Sequence, residues 1–168
     1  NQDGCVSVEN VLNAISSVRV LVTMMLANNE SGSLQPIQQI AVGCRQRGVL
    51  MHTDAAQAVG KVSCQLDDLG HPDMISVVGH KIGAPKGIAA LYVRPGCLFD
   101  PTHGRQLKHN HGIMLIGGGQ EFGRRGGTEN TPYIVGLGKA AELASRNLPA
   151  NAAHMEHMRT RLLRHLLS

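Results

Sequence analysis

Four short apolar runs, each closed by polar or turn-forming residues, constrain this chain most: residues 18–26, 49–53, 73–78 and 88–93. Rich in Val, Ile, Leu and Met and shorter than a typical core helix, they read as strands. The run from Val18 to Leu26 is nearly all apolar, so it is expected to be a strand buried on both faces. Helical spacing appears between the runs. Ser7 is placed to cap a helix carrying Val8, Val11, Leu12 and Ile15. Pro36 suits the first position of another, carrying Ile37, Ile40, Ala41 and Cys44, which Gly48 is placed to end. Strands alternating with helices imply an α/β fold with a mostly parallel sheet flanked by helices.

The chain has 168 residues, enough for one domain with a core, and its 42% hydrophobic content is that of a globular protein. With two Tyr, two Phe and no Trp, that core must rest on aliphatic side chains. A formal charge of +4, not gathered into one block, argues against a nucleic-acid partner. Cys5, Cys44, Cys64 and Cys97 lie far apart, a pattern of free thiols in a reducing, cytosolic compartment. No apolar run approaches the roughly 18 residues that would cross a membrane. The sequence begins at Asn1 without Met, which suggests a piece of a longer protein.

Residues 95–119 show no period and read as a long loop. His103, His109 and His111 within it match no closed zinc pattern, so no metal site is assigned. Gly117-Gly118-Gly119 lacks the lysine and hydroxyl of a phosphate loop and reads as a turn. Two helices are expected to close the chain. One starts near Thr131-Pro132; the other is capped by Asn151 and carries Met155, Met158, Leu162, Leu163 and Leu166 on one stripe, a core or domain-packing surface.

In a parallel sheet, ligands sit beyond the carboxyl ends of the strands. Those ends here read Ala27-Asn28-Asn29-Glu30-Ser31-Gly32, His52-Thr53-Asp54-Ala55-Ala56-Gln57 and Gly79-His80-Lys81. Each string by itself has a plain reading. Asn28-Asn29 before Gly32 could be a turn, and Asp54 could be a helix cap. Lys81, at what reads as a buried strand end, must either be salt-bridged or serve as an amine that attacks a carbonyl, because an unpaired buried ammonium costs several kcal/mol, roughly.

Pyridoxal phosphate requires such a set of groups together. Its aldehyde takes a lysine amine, and its ring nitrogen takes a carboxylate that keeps it protonated as an electron sink. Its phenolic oxygen takes a neutral donor, and its phosphate takes hydroxyl, imidazole or backbone donors. Lys81, Asp54, Gln57, Asn29, His80 and Thr128 are the candidates for these roles.

The three strings resemble the class V aminotransferase family, in its branch of NifS-like cysteine desulfurases. The later strings Gly117-Gly118-Gly119-Gln120-Glu121, Arg125-Gly126-Gly127-Thr128-Glu129-Asn130-Thr131-Pro132 and Gly136-Leu137-Gly138-Lys139-Ala140-Ala141-Glu142-Leu143 are similar to the selenocysteine lyases in particular. The resemblance spans almost the whole chain and weakens past Arg146. It implies a pyridoxal-phosphate-dependent transferase fold of type I. Residues 1–146 would be the central and C-terminal part of the cofactor-binding large domain, and 147–168 a helix leading to a small domain.

It also implies roles by position. Lys81 would form the Schiff base and move the α-proton; Asp54 would pair with the pyridinium nitrogen. Gln57 would donate to the phenolic oxygen, with Asn29 near that oxygen and the substrate carboxylate. His80 would contact the phosphate, and Thr128 would reach the phosphate of the neighbouring subunit of a homodimer. Val78 stands where the desulfurases commonly have Ser, which removes one phosphate hydroxyl. The implied activity is conversion of L-selenocysteine to L-alanine with release of selenium to an acceptor; the alternative is the same reaction on L-cysteine. The family's phosphate loop, catalytic cysteine and carboxylate-binding arginine would lie outside these residues, and none of the four cysteines matches the catalytic position. The rival reading is a non-catalytic folding or interaction module.

Overall fold

The computed structural model describes residues 4–16, 21–97 and 115–167. Its sheet has four strands in the order β1 (Leu21–Met25), β2 (Leu50–Asp54), β3 (Met74–Val78) and β4 (Ala89–Val93). The first three run parallel, with Met25 opposite Asp54 and Asp54 opposite Ser76. Strand β4 returns antiparallel on β3, so the sheet is mixed at that edge.

One face of the sheet carries the core. Val22, Met24, Met51, Thr53 and Ile75 fall on it by strand alternation. Helices α1 (Val8–Asn13) and α2 (Ile37–Gln46) supply the apolar stripe around it, with Ile37, Ile40, Ala41 and Cys44 of α2 buried. Ser7 caps α1, its hydroxyl accepting from Asn10 N at 3.3 Å. Gly43 lies so close to α1 that a Cβ there would meet Leu12 at 2.6 Å. Pro36 is the cap of α2 rather than its first residue, and Ile15 follows α1 rather than belonging to it, though it still packs on the core.

The opposite face is open, which corrects the expectation of a first strand buried on both sides. Exposed Leu21, Thr23 and Met25 alternate with half-buried Val22 and Met24, because the helices flanking the described sheet cover one side of it. Arg94 and Asp73 pin the β3–β4 end. The buried Asp73 carboxylate accepts from Arg94 Nε at 2.9 Å and from Met51 N at 2.8 Å.

The chain closes on one helix, not two. After a short turn labelled α3 (Gln120–Gly123), α4 runs unbroken from Thr131 to Leu166, with Asn130 as its cap and Pro149 inside it. Asn151 therefore caps nothing. A proline removes one intrahelical bond without forcing a stop, and the alanines and leucines on either side favour continuation. The first half of α4 packs on the turns beside the sheet: a Cβ on Gly136 would lie 3.0 Å from Pro85, and one on Gly60 would lie 3.3 Å from Ala144. The second half leaves its Met and Leu stripe exposed, so the stripe is not core within the described residues. Helix α4 crosses the Arg146–Asn147 position without a break. None of the described helices is long and apolar enough to cross a membrane.

Candidate active site

Parallel alignment of β1, β2 and β3 carries three loops to one edge of the sheet. Leu26 N donates to Asp54 O at 2.8 Å and Ala55 N to Ser76 O at 3.0 Å, so pairing continues past the strand ends into these loops. Asn29, Asp54, Gln57, His80 and Lys81 are thereby placed along that edge. Thr128 is exposed on the stretch before α4 and comes from no strand end.

The loop after β1 is a tight polar turn. Asn28 Oδ1 accepts from Glu30 N and Ser31 N, both at 2.9 Å, and Gly32 takes a φ of +74°. The turn reading therefore holds for Asn28, and it leaves Asn29 exposed beside it. At the end of β2, Asp54 Oδ1 accepts from Ala56 N at 2.8 Å. This bond starts the helical turns from Ala55 to Val62 and holds the carboxylate at the edge; capping and ligand binding are not exclusive here.

Beyond β3, Gly79–Lys81 form a single 3-10 turn that ends in a left-handed Gly83. Glycine is required at position 79: a Cβ there would lie 2.7 Å from Ile88 O, where Gly79 N also donates at 3.0 Å. Lys81 is exposed on this turn, not buried in the strand. The desolvation cost anticipated for it does not arise, since the turn lifts the side chain clear of the sheet.

Sequence reasoning assigned no role to two groups near this edge. His52, two residues before Asp54 on the same strand face, is held at both nitrogens, with Thr23 Oγ1 at 2.7 Å from Nδ1 and Ser76 Oγ at 2.9 Å from Nε2. Burial pushes the imidazole below its usual pKa, against an opposing pull from the Asp54 charge. Alternation along HTD was the available signal. Lys61, four residues after Gln57, donates to Gln57 O at 2.9 Å and lies 3.5 Å from Gln57 Oε1. The i, i+4 spacing was its signal. An open cleft of about 490 Å³, lined in part by Met25, His52, Asp54 and Gln35, runs along the uncovered sheet face to Asp54.

Residues 1–168 match the aminotransferase class V family throughout. The chain belongs to that family. A cysteine desulfurase IscS of Clostridium botulinum is 42% identical over 164 residues, which are 98% of this chain and 38% of that protein. Among solved structures, a NifS-like protein superposes with a TM-score of 0.85 at 35% identity, covering 98% of this chain and 42% of its own. Another, described as SspA in complex with cysteine, gives a TM-score of 0.70 at 40% identity, covering 83% and 37%. The chain thus spans about two fifths of the length of the curated relatives it matches. These relatives are named cysteine desulfurases, which favours the sulfur branch over the selenium branch expected from the motifs.

Class V aminotransferases of this kind depend on pyridoxal phosphate. The donor set fits that group. An exposed amine, a carboxylate fixed by its own loop, an amide and an imidazole share one sheet edge. The three histidines of the long loop lie outside the described residues, and no cluster able to hold a metal is found among the described ones.

Proposed function

We propose that this chain is the cofactor-anchoring part of a lyase that cleaves the carbon–sulfur bond of L-cysteine, leaving L-alanine and passing sulfur to an acceptor thiol. The observation that carries it is the convergence of Lys81, Asp54 and Gln57 at the carboxyl edge of β2 and β3, in a chain whose relatives carry that activity by name. When bound, pyridoxal phosphate withdraws electrons from the substrate α-carbon.

The chain's residues do the rest. Lys81 Nζ holds the cofactor covalently and moves the α-proton; its exposed 3-10 turn gives the amine reach toward a substrate. Asp54 holds the proton on the ring nitrogen. Gln57 donates to the phenolic oxygen, His80 to the phosphate, and Asn29 meets the substrate carboxylate. Thr128 acts across a homodimer interface on the partner's phosphate. L-selenocysteine is the second substrate reading, favoured by the strings at Gly117–Glu121 and Arg125–Pro132 and by Val78 in the place of Ser.

Borohydride reduction of the full-length protein with pyridoxal phosphate, followed by peptide mass spectrometry, tests the anchor. The label is expected on Lys81 and absent from Lys81→Ala. A folded protein labelled elsewhere, or not at all, refutes the assignment. Alanine formation from cysteine and from selenocysteine, measured side by side, then sets the substrate; turnover of selenocysteine alone overturns the sulfur reading.

A further inference from the structure

The geometry points to Lys61 as a positioning residue that sets which end of the Gln57 amide faces the cofactor edge. It rests on the pyridoxal phosphate reading of the site. An ammonium has three donors and no acceptor. It can therefore face the Gln57 side chain only through Oε1, and Lys61 Nζ lies 3.5 Å from that atom while donating to Gln57 O at 2.9 Å. The amide nitrogen is left to point away from Lys61. A glutamine held by nothing offers oxygen or nitrogen about equally well, whereas a negatively charged phenolic oxygen accepts only from nitrogen.

The surroundings keep Lys61 in place. Lys61 N donates to Ala58 O at 2.9 Å and Val62 N to the same oxygen at 3.0 Å, so the residue ends a stretch of helical turns that begins at Asp54. A Cβ on Gly60, at a φ of +76°, would come within 3.4 Å of Ile82, next to Lys81, and 3.3 Å of Ala144 of α4, so the backbone before Lys61 runs close to both. Lys61 is half-buried. Burial, and secondarily the charge of Lys81, push its amine below the usual lysine range. The bond to Gln57 O keeps the Lys61 head beside the Gln57 amide, and the charge of Lys81 acts on it.

The decisive readout is the pH midpoint of the cofactor's absorbance change in full-length holoenzyme, for Lys61→Met, Lys61→Arg, Gln57→Leu and the Lys61→Met/Gln57→Leu pair. Without an oriented amide donor the phenolic oxygen holds its proton more tightly. The midpoint should then rise by about half a pH unit or more in Lys61→Met. Lys61→Arg, which keeps the donors, should restore it. In the Gln57→Leu background, Lys61→Met should move the midpoint by less than half as much, since the two act in series. An equal shift with and without Gln57 overturns the proposal in favour of a direct charge effect. A lowered melting temperature with an unmoved midpoint overturns it in favour of a structural role. Wild-type protein that takes up no cofactor removes the site reading itself, before any variant is compared.

Discussion

His52 shows how one side chain ties the sheet to its edge. Thr23, His52 and Ser76 form a row of hydrogen bonds across β1, β2 and β3, ending beside the strand position of Asp54. Because burial lowers the imidazole's pKa, the folded protein binds that proton less tightly than the unfolded chain, whose value is near 6.5. The stabilisation is therefore full above that pH and is lost as pH falls through and below it. Thermal melts of wild type and His52→Gln between about pH 7.5 and pH 5 should show a steeper acid loss in the wild type. Parallel pH slopes would contradict it. An uncharged imidazole also leaves the Asp54 carboxylate uncompensated from that side, as the proposed pairing of Asp54 with a ring nitrogen would require.

Single elements show where local signals were readable and where they failed. Ser7, Ile37, Ile40 and Cys44 lie where spacing and capping rules put them, and the three strand ends share the edge that parallel pairing demands. Helix α4 did not follow local rules, since Asn151 read as the cap of a second helix while the structure carries one helix through both Pro149 and Asn151. The break was an inference from residue type, and continuity depends on the weight of good helix formers on both sides. Replacing Pro149 by Ala should restore the missing bond to Ser145 O and stabilise the helix by about 2–3 kcal/mol. Far-UV circular dichroism should show more helix and a higher melting point; an unchanged signal would mean two helices meeting at Pro149. Exposure was equally hard to read. An apolar run signals a strand but does not say which of its faces is covered, so the open face of β1 and the free turn of Lys81 had to come from tertiary structure.

At the scale of the molecule, a large part of the apolar surface is left uncovered. Leu21, Met25 and Leu91 are exposed on the sheet, and Met158, Leu162 and Leu166 on the second half of α4. Patches of this kind drive association when nothing else covers them. Residues 1–168 expressed by themselves should self-associate in a concentration-dependent way on analytical ultracentrifugation. Met158→Glu with Leu162→Glu should shift the sample toward monomer; identical sedimentation of the two proteins would show that the α4 stripe is not the contact. The two fifths of the relatives' length that this chain represents bears on the same point, since the longer proteins have further residues with which to bury such surfaces.

The antiparallel return of β4 has a consequence for the order of assembly. Strands β3 and β4 pair with each other across the ten-residue connection 79–88, and Lys81 sits inside it. Closing this loop costs somewhat less chain entropy than pairing β1 with β2 or β2 with β3, whose connections are about twice as long. The hairpin holding Lys81 can thus form from local encounters, and Asp54 joins it at the sheet edge only once the parallel pairing of β2 with β3 has closed.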